Sequence, residues 1–252
     1  MNNEKQRSFT TFRMTTRTIS NQLTNQKMKG GKKPMHKQIT MEQAVDMVKD
    51  GMTIMVGGFL GCGNPHRIID KLVEKGVKDL TLICNDTSFP EFGVGKMVVN
   101  KQFKKIIASH VGTNPETGRQ MNEKETEVVL VPQGTLAEQV RAGGAGLGGI
   151  LTPTGVGTVV ENGKQKIELD GVEYLLERPL KADIAIIAAQ TADKFGNLEY
   201  FGATRNFNHL MATAAEVVIA EVEEIVEVGE LDPNHVVTPG IFVTHLVNGG
   251  AN

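Results

Sequence analysis

The 252-residue chain contains no tryptophan, two tyrosines and two cysteines. Two cysteines, Cys62 and Cys84, supply neither a disulfide framework nor the paired spacing of a structural zinc site. Such usage fits a protein kept reduced in the cytoplasm. No apolar stretch approaches the roughly 20 residues needed to cross a bilayer, so no membrane span is expected. His66, His110, His209, His235 and His245 lack metal-ligand spacing, and no metal site is expected. No Gly-Lys-Ser/Thr follows a glycine loop, which excludes a phosphate-binding P-loop. A strong charge of either sign is also missing: the formal net charge is −2. That balance hides an asymmetry, because residues 1–40 hold nine Lys/Arg and one acid, leaving 18 Lys/Arg and 28 acids for the rest. An acidic globular part offers no basic face, so nucleic acid is not an expected partner.

Glycine, by contrast, is plentiful and concentrated. Asp50-Gly51 opens an apolar strand over Thr53–Val56, which runs into Gly57-Gly58-Phe59-Leu60-Gly61-Cys62-Gly63. Without a Cβ the chain takes positive φ, and a ligand can come close to main-chain N–H groups. A helix is expected over His66–Lys75, with Ile68, Ile69, Leu72 and Val73 on one face. The loop therefore meets a helix N-terminus, a natural site for an anion. A dinucleotide fingerprint would need Gly-x-Gly-x-x-Gly at the head of that helix. Gly58, Gly61 and Gly63 give the reverse spacing, so nicotinamide binding, with Asp86 as the ribose-binding acid, is a weak rival. A tight turn with no ligand suits an isolated glycine pair. Four glycines in seven residues, beside an aromatic, favour a ligand.

Past Ile39 the chain alternates strands and helices. Thr40 is placed to cap a helix reaching about Lys49. Short apolar strands are expected at Leu80–Cys84, Lys105–Ser109, Val128–Val131, Ile184–Ala189, Val217–Glu221 and Ile241–His245. Helices are expected at Val94–Asn100 and Thr135–Arg141. Nearly all-apolar strands between helices imply an α/β fold whose mostly parallel sheet is flanked by helices on both sides. Asp170-Gly171 predicts a small β-hairpin over Ile167–Tyr174. Seven glycines between Arg141 and Gly157 form a Gly-rich excursion, either a mobile surface segment or a cover over a site.

Position for position, residues 50–65 resemble the first signature of the family I (3-oxoacid type) CoA-transferases. Asp50-Gly51, the apolar Ile54-Met55-Val56, Gly57-Gly58-Phe59, Gly63 and Pro65 fill its fixed positions. Further segments resemble the family: Cys84-Asn85-Asp86, Val131–Glu138, Arg141–Gly146, Thr152–Gly155 and Arg205-Asn206-Phe207-Asn208. The resemblance runs from about residue 36 to the C-terminus and is nearest the α subunit of the acetate/butyrate–acetoacetate enzymes. It implies CoA exchange between a short-chain acyl-CoA and a carboxylate such as acetoacetate. Coenzyme A would be a substrate, with no cofactor. The covalent intermediate would form on a glutamate in a Ser-Glu-Asn-Gly motif of a β subunit, within a heterodimer or an α2β2 assembly. This chain lacks that motif, so no nucleophile is assigned to it and it should be inert alone. Its resemblance-implied contributions are Gln133 and Asn85 as oxyanion and substrate support, and Gly57, Gly58, Phe59, Leu60, Gly61, Cys62 and Gly63 as the CoA-binding loop. The Gly-rich excursion would lie near the cleft or at the partner interface.

Several residues carry plainer readings. Asn85 serves as well to cap a turn, and Gln133 to satisfy loop backbone. Arg205 suits either a carboxylate or phosphate contact or a structural ion pair, with the ion pair slightly favoured. Glu221, Glu223, Glu224 and Glu227 read as a solvated face, and Glu91, Glu138 and Glu199 as ordinary surface or helix acids. Cys84 reads as the end of a buried strand, and Cys62 as a small residue filling a tight loop. Residues 1–35 lack apolar periodicity and are expected to be a disordered extension: an upstream start, an expression remnant or a targeting segment. Residues 36–252 form the expected domain. The alternative function is a ligand-sensing or sugar-phosphate isomerase domain on a similar α/β core.

Overall fold

The computed structural model describes residues 37–250, and the expected extension over residues 1–35 lies outside them. Four strands come first: β1 (Thr53–Val56), β2 (Leu80–Ile83), β3 (Phe103–Ala108) and β4 (Glu127–Leu130). A small set follows: β5 (Ile150–Thr152), β6 (Lys166–Leu169) and β7 (Val172–Glu177). The chain then adds β8 (Ala182–Asp193), β9 (Leu198–Glu199), β10 (Ala215–Val226) and β11 (His245–Asn248). The main sheet has the order β11-β10-β8-β1-β2-β3-β4, every pair parallel, with β9 antiparallel on β8. β5, β7 and β6 form a separate antiparallel sheet.

The helices are α1 (Met41–Met47), α2 (His66–Lys75), α3 (Gly95–Val99), α4 (Pro115–Asn122), α5 (Gln133–Gly144) and α6 (Asn208–Met211). Both faces of the sheet are covered, as the apolar strands require. On β1, Ile54 and Val56 face one core with Ile68, Ile69 and Leu72 of α2. Met55 faces the other core with Leu136 and Val140 of α5 and Met211 of α6. Thr40 caps α1 in a capping box, its hydroxyl accepting from the Gln43 amide while the Gln43 side chain accepts from the Thr40 amide. Asp170 and Gly171 both take positive φ, 51° and 75°, and turn the hairpin.

Four expectations are corrected. Helix α5 starts at Gln133, not Thr135, so Gln133 sits on the helix's first turn. Helix α1 stops at Met47 because Val48 is extended. The last strand starts at His245 rather than Ile241, since Gly240–Phe242 make one 3-10 turn after Pro239 and Ile241 is 86% exposed. Helix α4 was not expected, although Asn114 caps it and Pro115 begins it, a legible start signal.

From β1 the strand order runs outward in both directions, so the sheet's switch point lies between β1 and β8. In open α/β sheets ligands bind outside the strand carboxyl ends at such a point. The loop 57–63 leaves β1 there.

Candidate active site

The glycine loop is a held structure. At its tip, Phe59 and Cys62 exchange main-chain hydrogen bonds of 2.9 Å across Leu60 (φ 49°) and Gly61 (φ 84°). Several further backbone groups are met by short polar side chains. Asn64 donates to the Gly57 carbonyl, Asn85 to the Gly58 carbonyl (2.7 Å) and Asn208 to the Gly63 carbonyl (3.0 Å). Asn206 accepts from the Gly58 amide at 3.1 Å and donates to the Cys62 carbonyl at 3.0 Å. Asp86, nearly fully buried, accepts from the Leu60 amide at 3.0 Å. Burial pushes its carboxyl upward, against the pull of the Leu60 and Ser88 amides. The Gly57 amide is spent on Ile186 of β8. Within the loop, the Gly61 and Gly63 amides are left without an acceptor among the described residues.

The glycines have a further reason beside ligand approach. A Cβ at Gly57 would overlap the Asn208 carboxamide, one at Gly58 the Asn64 carboxamide, and one at Gly61 the Phe92 ring. At Gly63 it would strike Thr204 O and crowd Asn206. The missing side chains make room for the protein's own clamp. A glycine-rich loop leaves many bare carbonyls and amides that must be paired when buried. That was the unread signal for Asn64, Asn206 and Asn208.

The anion expected at the head of α2 is the protein's own. Glu221, on β10, accepts from the Arg67 amide (3.2 Å) and the Ile68 amide (2.8 Å). It is 9% exposed, so the solvated-face reading fails for Glu221 while Glu223, Glu224 and Glu227 are exposed. Burial raises its carboxyl above the usual range, outweighing the two amides. Glu221 and Glu223 share one face of the strand, and what separates them is the helix head that covers Glu221.

On the other flank of the loop, β2, β3 and α5 bring three polar side chains together. Gln133 Nε2 donates to Asn85 Oδ1 at 2.7 Å, and the single proton of Ser109 Oγ is shared between Gln133 Oε1 and the Asn85 carbonyl (2.8 Å). Asn85 is buried and ties this chain to Gly58, whereas Gln133 is exposed with one amide hydrogen to spare. Sequence reasoning named Asn85 and Gln133 but not Ser109. Beside the loop's tip lies a cavity of about 560 Å³, lined among others by Gly61, Cys62, Gly63, Arg67, Phe92 and Glu223. Neither Asn85 nor Gln133 lines it. His66 Nε2 donates to the Gly61 carbonyl (3.0 Å) and its ring lies 4.5 Å from that of Phe92. Burial lowers its affinity for a proton.

Cys62 is exposed and Cys84 buried, the latter's thiol pushed up by burial. Arg205 is exposed and has no carboxylate partner among the described residues, so the favoured ion pair is absent there. Glu138 pairs with Arg141, and Glu91 sits on an exposed turn. Among the described residues, no three His, Cys, Asp or Glu side chains come together as a metal site.

Residues 38–249 match the model of the Coenzyme A transferase family. This chain belongs to that family. Among its relatives, the acetate CoA-transferase subunit alpha of Escherichia coli K12 is 58% identical over 84% of this chain and 96% of its own length. The acetoacetyl-CoA:acetate/butyrate CoA transferase alpha subunit of Clostridium acetobutylicum is 51% identical over 84% of this chain and 97% of its own. In fold, the coenzyme A transferase chain superposes on an acyl-CoA transferase from E. coli O157:H7 solved as a thioester complex with CoA. The TM-score is 0.77 at 23% identity, over 85% of this chain and 47% of that one. It thus spans about half the length of that solved chain. Glutaconate coenzyme A-transferase from Acidaminococcus fermentans gives 0.73 at 20% identity, over 85% and 76%. The family match displaces the sensor and isomerase alternative.

Proposed function

We propose that this chain is the α subunit of a heteromeric CoA-transferase. It would exchange CoA between acetyl-CoA or butyryl-CoA and a carboxylate such as acetoacetate. The reading is carried by one observation: a clamped glycine loop at the sheet's switch point, tied through Asn85 to Gln133. The alpha-subunit names of the relatives at 58% and 51% identity support it.

In this reading a glutamate of the β subunit attacks the thioester carbonyl and expels the CoA thiolate, leaving an acyl-glutamyl anhydride. The thiolate then attacks the glutamyl carbonyl, releasing the first carboxylate and leaving glutamyl-CoA. The acceptor carboxylate reverses the two steps. Each attack develops an oxyanion that needs preset donors. The spare Gln133 N–H and the Gly61 and Gly63 amides are the donors this chain offers. The loop Gly57, Gly58, Phe59, Leu60, Gly61, Cys62 and Gly63 would line the CoA thioester, and coenzyme A would be the substrate with no separate cofactor. A heterodimer or α2β2 assembly is the expected form, and a reducing cytoplasm fits the free thiols of Cys62 and Cys84.

The test is purification of the chain alone and together with a β subunit, followed by acetyl-CoA and acetoacetate turnover. Exchange by the pair and none by the lone chain is expected. Substantial turnover by the lone chain, or a covalent acyl adduct on one of its side chains, would refute the proposal.

A further inference from the structure

We propose that Asn206 is a positioning residue for the exchange, acting through the Cys62–Gly63 peptide. This rests on the functional reading above and goes beyond it. Asn206 touches no reacting atom in this scheme. Its carboxamide spans the loop: Oδ1 accepts from Gly58 N–H and Nδ2 donates to the Cys62 carbonyl. A peptide unit is planar and trans, so its C=O and N–H point in opposite directions. Holding the Cys62 carbonyl therefore aims the Gly63 N–H away from Asn206. That N–H is one of the two loop amides with no acceptor among the described residues, and Gly63 lines the cavity. Asn208 fixes the next peptide through the Gly63 carbonyl, so the amide is held from both sides. Asn206 is itself braced by the Ala203 and Thr204 carbonyls, 3.2 and 3.1 Å from Nδ2, which share its second hydrogen. Gly63 needs its bare Cα for this arrangement, since a Cβ would lie 3.0 Å from Asn206 Nδ2 and strike Thr204 O. A donor fixed before the reaction serves charge that appears only in the transition state.

The test compares Asn206→Ala and the isosteric Asn206→Asp with Thr126→Ala, all purified as the two-subunit complex. Thr126 is a buried hydroxyl with two hydrogen bonds at the far end of the sheet and controls for lost stability. Both Asn206 variants are expected to lose about 10- to 100-fold in kcat with KM for the CoA thioester within about twofold. Thr126→Ala should lower Tm with kcat unchanged. Asn206→Asp keeps the side chain's shape and its acceptor toward Gly58, so it carries the test if the alanine variant does not fold. A kcat within about twofold of wild type in either folded variant overturns the inference, as does a rise in KM with kcat unchanged. A wild-type complex without exchange activity overturns the functional reading and this inference with it. An active wild type beside an unimpaired variant overturns the inference alone.

Discussion

Two glycine-rich stretches look alike in composition and do opposite things. Residues 57–63 lie at the carboxyl ends of the strands, where short carboxamides occupy the space that side chains would fill. Residues 143–157 begin at the other end of the sheet. Gly143, Gly144 and Gly146 share a surface cavity with Thr53, Ala182 and Ala215, the first residues of β1, β8 and β10. That placement puts residues 143–146 away from the glycine loop, so of the two expected locations, near the cleft or at the partner interface, it speaks against the first for the start of the segment. There Gly143 and Gly144 let the last turn of α5 press against Leu180 and Thr213, and Ile150–Thr152 becomes a strand of the small sheet. Glycine density therefore marks close approach, and only the partner in that approach tells what it is for.

The sharpest way to break the contrast is Gly57→Ala. Its Cβ would displace the fully buried Asn208, which also bonds the Ala188 amide at 3.1 Å. We expect roughly 100-fold loss of exchange activity, the scale of losing a preset donor. Unfolding by urea should show a loss of roughly 2–4 kcal/mol. Near-normal turnover would mean that the clamp is irrelevant to the reaction. Gly143→Ala should cost a similar amount of stability, because its Cβ meets the Leu180 main chain, which cannot rotate aside. Its kcat, measured on folded complex, should stay within about threefold of wild type. A selective loss of activity there would erase the distinction between the two stretches.

Much of this was legible in the sequence because the strands are apolar on both faces and few in type. The β1 run, the capping box at Thr40 and the Asp170-Gly171 turn rest on local rules, and the chain keeps them. Asn85 and Gln133 were legible through the family signature, and the structure places them 2.7 Å apart. What stayed hidden is long-range pairing. Asn206 and Gly58 are 148 positions apart, and Glu221 and Ile68 are 153 apart. No periodicity announces such contacts, and a lone strand glutamate in an acidic run looks solvated until the helix that it caps is in place.

That glutamate gives a test by pH. Glu221 has a carboxyl raised in the folded state, chiefly by burial. An acid raised on folding binds more protons folded than unfolded, so its contribution is full below the unfolded pKa and fades as pH rises through the folded one. Wild type should therefore lose stability relative to Glu221→Gln as pH climbs from about 4 towards neutrality. Denaturant midpoints at several pH values will measure it. A gap between the two proteins that stays constant with pH would mean that the helix-head amides fully offset burial and leave the carboxyl's proton affinity unchanged on folding.

The smallest effect is expected where glycine meets nothing. Gly148 is exposed, has no positive φ, and a Cβ there would find no atom within 4 Å. The folded state gains no clash from Gly148→Ala, while the unfolded chain loses freedom. The substitution should stabilise by about 0.4–1 kcal/mol with kcat and KM unchanged. Urea melts of the complex resolve a shift of that size. A destabilised Gly148→Ala would reveal a close neighbour for this segment in the assembled enzyme, and the second glycine stretch would then share with the first the role of making room for something that approaches it.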